Sequence, residues 1–207
     1  MRRLGRALER NRIEIPEVPR RYRRSSDDAP GSKPVIDVFE DALVDYKAKV
    51  ARVTRDGIAQ AVADALGADI HRVVVPHGLD TAWLANLDGK EIITDSPDAP
   101  LSAHELDTVD AVVTASRCAV SHTGTIMLDG EADQGRRAIS LVPDTHVVIV
   151  EASTVFPTVP QAVAVLGEHP TRPTTWIAGP SATSDIELIR VDGVHGPRNL
   201  FVIIVED

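Results

Sequence analysis

The chain has 207 residues, 43% hydrophobic, 26% charged and 3% aromatic, which suits one globular domain with a short appendage; its longest aliphatic or aromatic run, Leu200 to Val205, is far short of the roughly 18 residues needed to span a bilayer. A single cysteine, Cys118, excludes an intrachain disulfide, an all-cysteine zinc site and an iron–sulfur cluster held by this chain alone. The net charge of −9 leaves an acidic body that repels phosphate and argues against nucleic acid as a partner.

Charge divides the chain at its beginning. Residues 1–24 hold nine arginines against three glutamates, a balance of +6, so the remainder carries 13 basic against 28 acidic groups, −15. The arm lacks the apolar core of a secretory signal, which points to a cytoplasmic protein. Its simplest reading is a solvated tail, with an acidic partner or a membrane surface as alternatives. Ser25 to Pro34 is polar and contains proline and glycine, a linker composition. The expected organisation is therefore an arm and linker over 1–34 and an α/β domain over 35–207.

From Val35 to about Val53, Val35, Phe39, Leu43, Tyr46 and Val50 recur at helical spacing, and a second helix is expected from Gly57 to Leu66, ended by Gly67. Short aliphatic runs follow. Strands are expected at His71–Pro76, Glu91–Thr94, Val109–Ala115, Gly124–Leu128, His146–Val150, Thr174–Ala178 and Leu200–Val205, with short helices at Thr81–Leu87 and about Gln161–Leu166. Runs with so little polar alternation are covered on both faces, which predicts a mostly parallel sheet with flanking helices.

Ligands of open α/β sheets bind in loops after the carboxyl ends of strands, and three such segments have suitable chemistry. Around Thr123, Gly124 and Thr125, backbone N–H groups and two hydroxyls can converge on an anion; a simple glycine turn explains the same residues. Gly179-Pro180-Ser181-Ala182-Thr183-Ser184-Asp185-Ile186-Glu187 puts hydroxyls and an acid after a strand, although Ser184 with Glu187 also fits a capping box. In Gly193-Val194-His195-Gly196-Pro197-Arg198, His195 sits on a glycine-flanked loop from which it can reach a ligand and Arg198 can grip a carboxylate; a tight loop with an exposed histidine explains the same residues. Gly179, Ser181, Thr183, Asp185, His195 and Arg198 thus join Thr123, Gly124 and Thr125 as candidate ligand residues, with His122 and His195 as candidate proton carriers. No metal-site spacing and no phosphate-loop or dinucleotide glycine motif is present. Cys118 reads as a small buried hydrophobe, with His122 four residues on as the base that a nucleophile would need.

Four blocks in order, Ser121 to Ile126, Arg137 to Val150, Gly179 to Glu187 and Gly193 to Pro197, resemble the LUD-domain family of the LutC or YkgG type from about residue 35 to the C-terminus. The resemblance implies a fold like that of the NagB, RpiA and CoA-transferase group. It also implies an accessory role in oxidising L-lactate to pyruvate, with LutA-like and LutB-like iron–sulfur proteins as partners that carry the clusters, and no cofactor in this chain. One departure stands out: the family's Ala-Glu-Thr-Gly-Thr is here Ser121-His122-Thr123-Gly124-Thr125, so His122 replaces the acid a CoA-transferase mechanism would use. The alternatives are an independent sugar-phosphate or acyl-CoA enzyme of the same fold, and a non-catalytic assembly module.

Overall fold

The protein is described from a computed structural model over residues 24–183, 191–192 and 196–206. In chain order its strands are β1 (Lys49–Val53), β2 (Arg72–Pro76), β3 (Glu91–Asp95), β4 (Ala111–Thr114), β5 (Cys118–Val120), β6 (Thr125–Leu128), β7 (Thr145–Glu151), β8 (Val155–Phe156), β9 (Thr175–Ala178), β10 (Ala182–Thr183), β11 (Val191–Asp192) and β12 (Asn199–Val205). The helices are α1 (Lys33–Asp45), α2 (Ile58–Leu66), α3 (Ala103–Asp107) and α4 (Val159–Leu166).

Six strands form a sheet in the order β1-β12-β7-β4-β2-β3, every neighbouring pair parallel. β4 is buried throughout and β7 up to Glu151, because helices or a second layer cover both faces. On one face α2 packs Ile58, Val62 and Leu66 against Val73, Val113 and Ile149. On the other, α3 sets Leu106 against Val74 and Val112. The predicted α/β class and mostly parallel sheet are both present.

A second, four-stranded sheet runs β8-β5-β6-β9, with β5/β6 and β6/β9 antiparallel and β5/β8 parallel. α1 joins the two sheets. Its Val35, Ile36, Phe39 and Leu43 share one core with Ala119, Ile126 and Leu128 of the small sheet and Val148, Val150 and Val202 of the large one. Fully burying a side chain of this size contributes about 1.5–3 kcal/mol, so the helix is the main fastening between layers.

Several boundaries differ from the sequence expectations. α1 stops at Asp45 rather than near Val53: Lys47 takes a positive φ of 67° and the chain turns into β1, whose Lys49 pairs with Phe201 and Val50 with Val202. Helical spacing up to Val50 was coincidental there, since a parallel partner outweighs a weak helical preference in a β-branched segment. The helix expected at Thr81–Leu87 is a single tight turn over Thr81–Leu84, capped by Asp80, whose carboxylate accepts from the Ala82 N–H at 2.9 Å. α3 went unpredicted although its start is a full capping box, Ser102 with Glu105. The capping reading of Ser184 with Glu187 lies outside the described residues.

Candidate functional site

Two glycines decide where the small sheet can approach α1. Gly124 has φ +58° and a side chain there would meet Ala42 at 3.2 Å; Gly179 has φ +78° and would meet the Tyr46 Cβ at 2.8 Å. Ala42 and Tyr46 are one helical turn apart, so α1 and its C-terminal residue lie across both turns. Thr125 pairs with Ala178, so the ladder places the Thr123–Thr125 turn beside Gly179 as well. Within this turn the hydrogen-bonding groups are already engaged. The Gly124 N–H donates to the Ser121 carbonyl at 3.3 Å, and the Thr123 and Thr125 hydroxyls bond each other at 2.8 Å. His122 and Thr123 are exposed, while Thr125 is buried.

Beyond Gly179 the chain enters a polar cavity of about 290 Å³ between β9 and the amino-terminal ends of β7 and β12. Gly179, Pro180 and Ser181 form one wall and Gly196 and Pro197 another, pinned together where the Ser181 N–H donates to the Pro197 carbonyl at 2.8 Å. Arg137, Ser140 and His146 supply the floor from the turn Arg137–Ser140 and the start of β7. Ser140 is buried and its hydroxyl donates to the Arg137 carbonyl at 3.0 Å. The Arg137 guanidinium is exposed and has no ion pair among the described residues.

His146 is 1% exposed and its Nε2 lies 2.8 Å from the Thr114 hydroxyl. Burial pushes its pKa down to about 4, so the imidazole is neutral at physiological pH. A neutral ring beside Arg137 and several hydroxyls gives the described lining one positive charge and many hydrogen-bond partners. Such a site suits a small carboxylate or phosphate.

Of the sequence-derived candidates, Gly179 and Ser181 line this cavity, whereas Thr123, Gly124 and Thr125 stand on its α1 side and line none of it. Arg198 is exposed at the entry to β12, 3.5 Å from the Asp144 carboxylate. Asp185, His195 and the side chain of Thr183 lie outside the described residues. The cavity lies at strand carboxyl ends only with respect to β9; for the parallel sheet it faces the amino ends. Arg137, Ser140 and His146 were missed as site residues, and the one sequence signal was their place within a block of the family resemblance. The Cys118 thiol is fully buried against Met127, and burial pushes its pKa up to about 11, so it has no nucleophilic character. No group of three or more His, Cys, Asp or Glu side chains among the described residues could hold a metal ion, and no helix among them is long and apolar enough to cross a membrane.

Residues 36–205 match the family described as the LUD domain. The chain belongs to the LUD-domain family. It is 47% identical over 173 residues to a Deinococcus radiodurans protein named Lactate utilization protein C, covering 83% of this chain and 79% of the relative. An Oceanobacillus iheyensis protein of the same name is 26% identical over 98% of this chain and 93% of its own. An Escherichia coli relative named YkgG is 38% identical over 94 residues, 42% of this chain and 39% of that one. The crystal structure of a DUF162 family protein from Deinococcus radiodurans superposes with a TM-score of 0.72 at 40% identity, covering 84% of this chain and 97% of that one.

Proposed function

We propose that this LUD-domain chain is a cytoplasmic component of an L-lactate utilisation system. It works with LutA-like and LutB-like iron–sulfur proteins that oxidise L-lactate to pyruvate, and it binds a small anion in the cavity beside β9. The lactate role rests on the 47% identity to the Deinococcus protein. The ligand rests on Arg137, a cation without an ion pair to a described residue, set among Ser140, Ser181 and neutral His146. Assigning electron transfer to partners fits a chain whose only cysteine is buried.

In this arrangement Arg137 grips the anion, Ser140 and Ser181 orient it, and the Gly179 and Gly196 turns let backbone approach it closely. Thr183, Asp185, His195 and Arg198 remain proposed ligand contacts from the sequence. His122 and His195 remain the proposed proton carriers. The test is genetic and then calorimetric. Deleting the gene is expected to abolish growth on L-lactate as sole carbon source, and Arg137→Ala to weaken binding of pyruvate or inorganic phosphate at least about tenfold. Normal growth of the deletion strain on L-lactate refutes the functional reading; unchanged anion binding by Arg137→Ala refutes the site.

A further inference from the structure

The floor of the β9 cavity holds a histidine whose two ring nitrogens have different surroundings. His146 is the second residue of β7, opposite Val112 of β4 on one side and Leu200 of β12 on the other. It alternates onto the same face as Val148 and Val150, the face on which α1 and the small sheet pack. Leu200 lines the cavity with it, whereas β4 is buried throughout.

On the β4 side Nε2 lies 2.8 Å from the Thr114 hydroxyl, and Thr114 is fully buried. Nε2 is the only hydrogen-bond partner of that hydroxyl among the described residues. Either group can supply the proton for this bond. Were the ring to donate, the hydroxyl hydrogen would be a buried donor with no acceptor, an arrangement that folded proteins avoid. With the hydroxyl donating, Nε2 accepts and no donor is stranded. Burial keeps the ring neutral, so its single proton then sits on Nδ1.

Nδ1 has no partner among the described residues. The side-chain nitrogens and oxygens among them that are sealed from solvent without a partner belong to Ser32, Arg52, Arg117, Asp129 and Asp133, and Nδ1 is not one of these. Its N–H is therefore open to the cavity that the residue lines. Arg137 lines the same cavity as a cation without an ion pair to a described residue. Two donors on one polar cavity suit a group that only accepts, an ionised carboxylate or a phosphate.

We infer that His146 is a second anion-binding residue of the β9 cavity, donating its Nδ1–H to the bound oxyanion beside Arg137 while Thr114 holds its Nε2. The inference rests on the anion-site reading above and adds to it a donor that carries no charge. The experiment is NMR of the full chain labelled with nitrogen-15 in histidine, with calorimetric titration of pyruvate and, separately, of inorganic phosphate. His146 is recognised as the ring still neutral at about pH 5. Wild type is expected to carry the proton on Nδ1, and that signal to move as either anion is added. A proton on Nε2, or an Nδ1 signal that stays still while anion binds, overturns the inference. Two variants separate binding from packing. His146→Asn keeps an amide N–H near the Nδ1 position and is expected to retain affinity within about threefold. His146→Gln extends its amide towards Thr114, leaves the Nδ1 position empty and is expected to weaken binding about tenfold. Equal affinities in the two variants overturn the inference, since loss of packing alone moves both together. Arg137→Ala distinguishes the two readings. Weakened binding in Arg137→Ala beside a still Nδ1 signal in wild type leaves the anion site standing and removes His146 from it; no binding of either anion to wild type removes both.

Discussion

The two sheets of this protein differ in how they are held. In the large sheet, strands such as β4 and β7 are buried on both faces and pair in parallel across the molecule. The small sheet has shorter strands, and its edge strand β9 alternates between half-buried and exposed positions. The central strands of both sheets are buried, β5 and β6 included, but the small sheet has fewer strands and is fastened to the large one through α1, with two glycine turns set against that helix. The polar cavity lies where these two kinds of layer meet. A site at such a seam depends on the weaker layer being placed accurately, so perturbing the fastening separates stability from binding.

The strongest test of that contrast is Phe39→Ala. Phe39 is fully buried in the core shared by both sheets, and its loss is expected to cost about 3–5 kcal/mol, read as a lowered denaturant midpoint. Hydrogen exchange should show β5 and β6 losing protection before β7 does. Equal loss in both sheets contradicts the ranking.

Acid comes next. His146 belongs to the large sheet but floors the cavity, and its pKa is lowered from 6.5 to about 4 by burial. The unfolded chain therefore takes up a proton at a pH where the folded one does not. The corresponding stability is fully present above pH 6.5 and is lost as pH falls towards 4, by up to about 3 kcal/mol. His146→Gln should flatten this part of a stability-against-pH curve, and an unchanged slope excludes His146 as its source.

The smallest effects are at the turns, and they sharpen the comparison most finely. Gly179→Ala combines φ +78° with a 2.8 Å approach to Tyr46 and is expected to cost about 2 kcal/mol or more, with weakened anion binding. Gly124→Ala combines φ +58° with a looser 3.2 Å approach to Ala42, should cost about 1–2 kcal/mol, and should leave the cavity intact. Thermal unfolding of both variants, with anion titration alongside, checks the order.

Legibility followed length and burial. Strands of both sheets were visible where burial leaves aliphatic runs, such as Arg72–Pro76 and Asn199–Val205 in the large sheet and Thr125–Leu128 in the small one, while β1 was read as helix. β5 and β8 were not visible, since strands of three and two residues are too short to show a period. At the site, Gly179 and Ser181 were readable as a loop after a strand, yet Arg137, Ser140 and His146 come from a different stretch and become neighbours only through packing.

The sequence by itself determined the α/β class, the parallel sheet, the inert single cysteine and the family, because each depends on local hydrophobic runs or on ordered motifs. Tertiary structure alone decided that Val50 belongs to a strand, that Gly124 and Gly179 make room for α1, and that Arg137 and Ser140 meet His146 beside Ser181. These facts depend on which surfaces meet, and a contact between distant segments leaves no period in the chain that makes it.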